Sequence, residues 1–137
     1  MEIRHIPKEK FTDQFLENVH KNIFNEAVPA DFFKFDACLV AEENDQLLAY
    51  VLIKEVTSCM VDIAWGGSFK NVRGAIIKKV FNEGIELLLK HYSTITFQTR
   101  NTNLAMIKLG LLGGFLITGT TLINENELFI NFSRRRN

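Results

Sequence analysis

The segment Asn101-Thr102-Asn103-Leu104-Ala105-Met106-Ile107-Lys108-Leu109-Gly110-Leu111-Leu112-Gly113-Gly114-Phe115 constrains this chain more than any other. It lies between two runs of strand-like composition, residues 93–99 and 115–123. Asn103 stands where a helix N-cap is expected, and the Gly113-Gly114 pair stands where the same helix should stop. A capped helix closed by Gly-Phe and set between two strands commits this part of the chain to layers of helix packed on sheet.

Length and charge bound the rest. At 137 residues the chain fits one domain, spanning residues 1–137, with enough material to bury a real core. Sixteen basic and sixteen acidic residues cancel, so long-range electrostatics favours neither nucleic acid nor an anionic membrane as partner. No apolar run approaches the length that spans a bilayer. The start, Met-Glu-Ile-Arg-His-Ile-Pro, lacks the layout of a secretory signal, and the expected location is cytoplasmic. Cys38 and Cys59 each fall in an apolar, strand-like run and are expected to be buried, reduced thiols. His5, His20 and His91 lie far apart in sequence, and no metal site is expected.

Periodicity supplies the element order. Residues 2–6 alternate and end at Pro7, as in a first strand. Phe11, Phe15, Leu16, Val19 and Ile23 recur at helical spacing over 11–24, with Thr12 as a candidate cap. Residues 25–36, with Pro29, Phe32, Phe33 and Phe35, break that period and fit a short second helix or a loop. Runs 37–41 and 47–53 flank the polar Glu42-Glu43-Asn44-Asp45-Gln46 and read as a hairpin. A third strand over 58–65 is expected to stop at Gly66-Gly67-Ser68. A long helix follows over 72–92, with Ile76, Ile77, Val80, Phe81, Ile85, Leu88 and Leu89 on one face. Gly84 interrupts that face at a cost of about 1 kcal/mol against Ala. A strand (93–99), a helix (103–112) and a closing hairpin (115–123 and 127–132) complete the chain. This order predicts an α+β fold, a mixed central sheet of six to seven strands with helices on both faces.

The order, together with the terminal motif, resembles the GNAT superfamily, the GCN5-related N-acetyltransferases. The family's late pattern reads roughly N-x-x-(A/M)-(I)-x-x-x-x-x-x-G-F, and Asn103, Met106, Ile107, Gly114 and Phe115 fall at the matching offsets. The resemblance covers essentially the whole chain. It implies an acyl-coenzyme A-binding domain, with acetyl-CoA as the acyl donor and no metal. In the family, a loop of pattern (Q/R)-x-x-G-x-(G/A) opens the long helix and holds the coenzyme A pyrophosphate on backbone N–H groups. The corresponding cofactor-binding segment is Lys70-Asn71-Val72-Arg73-Gly74-Ala75. Lys70 replaces the first Gln/Arg, Arg73 replaces the first glycine, and Ala75 fits the last position. The alternative for this segment is an ordinary basic helix start. A basic residue beside the positive end of a helix dipole is unfavourable without an anion nearby.

The same resemblance assigns roles to single residues. At Trp65, the end of its strand, the resemblance implies that the strand splays from its neighbour and leaves a V-shaped opening, with a bulge that Gly66-Gly67 tolerate. The backbone N–H near Trp65 would then bond the thioester carbonyl and its oxyanion; the indole itself can equally be a core aromatic. Asp62, an acid in an otherwise apolar strand, either faces solvent in a structural role or serves as the base that deprotonates the attacking amine. Glu43 and Glu55 are weaker candidates. Asn103 either caps its helix or also hydrogen-bonds the pantetheine arm. The family's thiolate-protonating tyrosine, seven residues after the motif Asn, is replaced by Gly110. The phenylalanines at 24, 32, 33 and 35 are core and lid packing, or else an apolar wall to the acceptor pocket. Arg134-Arg135-Arg136 reads as a solvated tail.

The resulting reading is an N-acyltransferase that moves an acetyl group from acetyl-CoA to a primary amine by direct attack. Its partners would be a coenzyme A thioester and a small amine or peptide acceptor, in a monomer or homodimer. Two other classes stay open: a non-catalytic GNAT-like binding or structural protein, for example of phage type, and an unrelated α+β binding domain.

Overall fold

The protein, described here by a computed structural model at residues 2–7, 35–44, 46–68 and 72–137, places seven strands and two helices among those residues. The strands are β1 (Glu2–Pro7), β2 (Ala37–Glu43), β3 (Gln46–Thr57), β4 (Met60–Ser68), β5 (Thr94–Arg100), β6 (Leu116–Leu122) and β7 (Leu128–Arg135). The helices are α1 (Gly74–Leu89) and α2 (Leu104–Leu112). The expected helix over 11–24, the phenylalanines at 24, 32 and 33, and the loop residues Lys70 and Asn71 lie outside the described residues. Phe35 is buried.

All seven strands form one mixed sheet in the order β1-β2-β3-β4-β5-β7-β6. β1 to β4 form an antiparallel meander. β5 lies parallel to β4, joined through α1, and β7 and β6 add antiparallel beyond it. The α+β class and the strand count agree with the expectation from periodicity.

The two described helices share one face. Phe97 of β5 sets its ring edge-on to Phe81 of α1, stacks on Phe132 of β7 at 4.6 Å, and meets Phe115 at 4.9 Å. Val61, Ile85, Leu88, Leu89 and Ile95 extend this core. On the opposite face of β2 and β3, Cys38, Val40, Tyr50 and Leu52 are buried as well. Strands covered on both faces carry near-continuous apolar runs, as β2 and β3 do.

Several boundaries differ from the expectation, each for a local reason. β3 runs on to Thr57, and Ser58-Cys59 form the two-residue connection to β4, because Thr57 pairs with Met60. Cys59 is therefore exposed in a turn, where hydrogen bonding with the Thr57 and Ser93 hydroxyls lowers its thiol pKa. Cys38 is buried as expected, and burial pushes its thiol up to about 12. Gly66, Gly67 and Ser68 continue β4 instead of ending it, pairing with Val51, Tyr50 and Ala49. The arginine tail is not free either. β7 extends to Arg135, Arg134 donates to the Gly113 carbonyl (2.8 Å) and to Glu86 (2.9 Å), and Arg136 donates to the Leu89 carbonyl (2.6 Å). Both carbonyls belong to helix C-terminal ends, where the dipole favours a cation.

Candidate functional site

The site follows from one interruption in the sheet. β4 and β5 pair from Met60/Thr94 to Ile63/Phe97 and no further. Beyond that point β4 stays with β3, through Trp65/Leu52 to Ser68/Ala49. β5 stays with β7, through Gln98/Asn131 to Arg100/Phe129. The two halves of the sheet part, and a V-shaped opening forms between them. A bulge accompanies the parting: Leu52 pairs with Trp65 while Ile53 pairs with Ile63, so Ala64 is the extra residue. A bulge bends its strand and frees ladder groups from pairing. From Ala64 onward the edge of β4 that faces β5 carries backbone donors and acceptors with no strand opposite them among the described residues, and such groups need a polar partner.

The opening leads into a cavity of about 510 Å³ beneath α1. Its lining includes Gly66, Gly67 and Ser68 from β4, Phe97 to Arg100 from β5, Asn103, Met106 and Leu109 from α2 and its cap, and Ile77, Phe81 and Gly84 from α1. Pockets of this size, largely apolar with a few polar groups, are typical of small-molecule sites.

The start of α1 stands near the far end of β4. Arg73 is its N-cap, in an extended conformation and with no side-chain capping bond. The N–H groups of Ile76 and Ile77 both reach the Arg73 carbonyl at 3.0 Å. Those of Gly74 and Ala75 have no backbone acceptor among the described residues, and the first turn holds no acid. This helix end is chemically open to an anion. Val72 is half-buried beside it.

Asn103 caps α2: its Oδ1 accepts from the Met106 N–H at 3.2 Å. Its Nδ2 has no partner among the described residues, and the residue lines the cavity. Asn101 anchors the same loop, since its Oδ1 accepts from the Leu128 N–H at 3.2 Å and its own N–H donates to the Leu128 carbonyl at 3.0 Å.

Asp62 sits one pair below the parting, and its side chain points to the face opposite α1, because its neighbours Val61 and Ile63 point into the core. The Thr96 hydroxyl donates to it at 2.7 Å, and Lys54 lies directly across on β3. Partial burial raises its pKa, against the opposing pull of Thr96 and Lys54. Glu55 sits near the β3–β4 turn, away from the opening, and accepts from the Tyr92 hydroxyl. Burial first, and Glu55 second, push that phenol up to about 12. Glu43 is exposed at the β2–β3 turn.

Gly110 has a steric explanation. A Cβ there would lie 2.7 Å from Phe97 Cζ and 3.3 Å from the Phe132 ring. The Phe97 ring thus stands against α2 where a side chain at position 110 would have to go, and no phenol fits unless that ring moves. Sequence reasoning also missed Ala64 as the bulge residue and Gln98 and Arg100 as cavity-lining groups. None carries a local signal, since each matters only because two strands part.

No protein-family model matches the sequence, and no curated protein does. Solved structures match it along its whole length. An IAA acetyltransferase from Bacillus cereus ATCC 14579 is 18% identical and superimposes with a TM-score of 0.75, over 98% of this chain and 99% of that one. The ribosomal-protein-S18-alanine N-acetyltransferase from Escherichia coli is 13% identical with a TM-score of 0.75, over 98% and 94%. A Bacillus subtilis acetyltransferase in complex with CoA is 17% identical with a TM-score of 0.72, over 99% and 100%. The chain has the GNAT fold.

Proposed function

We propose that this chain is a GNAT-type N-acyltransferase domain that takes acetyl-CoA as acyl donor and a primary amine, small or peptidic, as acceptor. The observation that carries the reading is the parting of β4 from β5 beside the bulge at Ala64. A cleft walled by an unpaired strand edge suits a narrow ligand that carries amides along its length, because such a ligand can hydrogen-bond as a strand would. The pantetheine arm has that character. The open N-terminus of α1 suits the pyrophosphate, with Lys70 and Arg73 adding charge and the N–H groups from Asn71 to Ala75 as donors. Asn103 Nδ2 would donate to the arm. The similar Bacillus subtilis structure, which holds CoA, supports this choice of donor.

The chemistry then needs little more. The amine nitrogen attacks the thioester carbonyl carbon, and the backbone N–H near Trp65 stabilises the oxyanion. The carbon–sulfur bond breaks, the amide forms, and coenzyme A leaves as the thiol. Asp62 is the best available base for the ammonium proton. Its raised pKa keeps it a stronger base than an ordinary carboxylate, and it stands on the face opposite α1.

Calorimetry with acetyl-CoA tests the donor. Binding is expected, and the double substitution Lys70→Glu, Arg73→Glu should weaken it strongly and in a salt-sensitive manner. Failure of the native protein to bind at millimolar donor would sink the reading. Asp62→Asn should lower turnover on a verified amine far more than it lowers donor affinity, and should remove the acidic limb of the pH profile. Gly110 favours one second reading, a fold that binds coenzyme A without catalysis, because no tyrosine stands at that position to protonate the thiolate. Donor binding without turnover of any amine in a broad panel would select it.

A further inference from the structure

The cavity is wider than an acetyl group requires. Along α1 its lining runs from Ile77 to Leu88, a stretch of helix about 16 Å long at about 1.5 Å per residue. Ile63 and Phe97, the last pair before the strands part, close it along the strands, and from there it extends sideways under α1, across Gly66 and Val51 to Leu39. Polar residues gather at the mouth, where Ser68, Gln98 and Arg100 stand on the parted strands. The inner part is aliphatic and aromatic.

Packed interiors keep few voids larger than a water molecule. A cavity of about 150 Å³ lined by Leu, Ile and Phe already takes benzene, and this one measures about 510 Å³. Gly84 bears on the same point. It lies inside α1, where glycine is the least favoured residue after proline, and it lines the cavity. A Cβ at that position would meet only Leu39 Cδ1, at an ordinary 3.5 Å. Packing therefore does not demand glycine there, and the missing side chain leaves open volume beneath the helix.

A polar mouth that opens into a long apolar recess matches a ligand with a polar arm and an apolar tail. We infer that the donor site takes coenzyme A thioesters of medium-chain fatty acids, with the acyl chain lying beneath α1 beside Gly84. This rests on the reading of the cleft as a coenzyme A thioester site. The transfer step is unchanged: the amine nitrogen bonds to the acyl carbon, the carbon–sulfur bond breaks, and the thiol carries the proton away.

Calorimetry on the native protein and on Gly84→Leu, with coenzyme A, acetyl-CoA and octanoyl-CoA as ligands, tests it. The native protein should bind octanoyl-CoA at least about tenfold more tightly than acetyl-CoA, since each buried methylene adds to affinity. Gly84→Leu should abolish that preference while leaving affinity for coenzyme A and acetyl-CoA within about twofold. Gly84→Ala, which fits without a clash, should fold in any event and reduce the preference in part. Equal affinity for the two thioesters in the native protein would overturn the inference and leave the donor reading standing. An octanoyl preference that survives both substitutions would overturn the placement beneath α1. If coenzyme A itself does not bind, both readings fall.

Discussion

Asp62 and Gly110 are each explained by what packs around them. Burial raises the Asp62 pKa, so the folded protein holds that proton to higher pH than the unfolded chain does. The sign follows: folding is favoured below the ordinary carboxylate range, and stability is lost as pH rises through the raised value. Asp62→Asn keeps an oxygen acceptor for the Thr96 hydroxyl and removes the charge. It should therefore be more stable than the native protein at neutral pH, with the gain fading at acid pH. Urea midpoints measured across the pH range check this, and a variant less stable at neutral pH would contradict it. At Gly110 the neighbour is Phe97. Gly110→Ala should destabilise by about 1–3 kcal/mol through overpacking, because the added carbon meets Phe97 Cζ at 2.7 Å. In combination with Phe97→Leu the cost should be smaller than the sum of the two single changes, and a double-mutant cycle measures the difference.

At the scale of elements, the two helices are held by their ends as much as by their faces. α2 begins on the Asn103 cap and ends at Gly113, followed by Gly114 at φ +85°, a conformation that favours glycine. Leu104, Leu111 and Leu112 of α2 are exposed, so the inward contacts of Met106, Ile107 and Gly110 have to hold it. Arg134 reaches its C-terminal carbonyl, and Arg136 does the same for α1. Replacing Arg134 by Met should cost about 1–3 kcal/mol, the range for a hydrogen bond to a charged group and for the carbonyl it leaves unsatisfied. The Arg134 side chain is only 19% exposed, so added salt should recover little of the difference. Asn103→Ala should cost about 1 kcal/mol from the lost cap. It should also weaken acetyl-CoA binding if Nδ2 meets the arm, and a change in stability alone would reduce Asn103 to a cap.

For the molecule as a whole, the sheet order places β4 and β5 at the centre and leaves β1 and β6 as edges. Central strands paired on both sides should exchange their amide hydrogens slowest, and edge strands fastest. β6 should be the most labile, since Leu116, Ile117 and Leu122 are exposed along it. The C-terminal half of β4 is an exception within the centre, because it is paired on one side only. Its amides should be poorly protected without ligand and gain protection when acetyl-CoA is added. Hydrogen exchange followed by mass spectrometry reads both patterns. Protection gained at β6 instead would place the donor site elsewhere.

Period-2 and period-3.6 patterns, helix caps and glycine stops are local properties, and they were enough to specify the order of the described elements, the α+β class and the span of α2 from its Asn103 cap to Gly113. The terminal Asn-to-Gly-Phe motif went further and tied that order to one superfamily fold. Boundaries failed where pairing overruled local preference: Gly66 and Gly67 stay in β4 because β3 runs long enough to pair with them, and Cys59 falls in a turn because Thr57 meets Met60. The arginines looked like a solvated tail because their partners, the carbonyls of Gly113 and Leu89, are near only after the chain has folded. The family resemblance also implies that β4 splays from its neighbour at Trp65 beside a bulge, and the structure parts it from β5 after Ile63 with Ala64 as the bulge residue; the ring of Phe97 against Gly110 and the recess beside Gly84 belong to the tertiary structure alone. Each depends on how far two segments distant in sequence approach one another, and no periodicity along the chain encodes that distance.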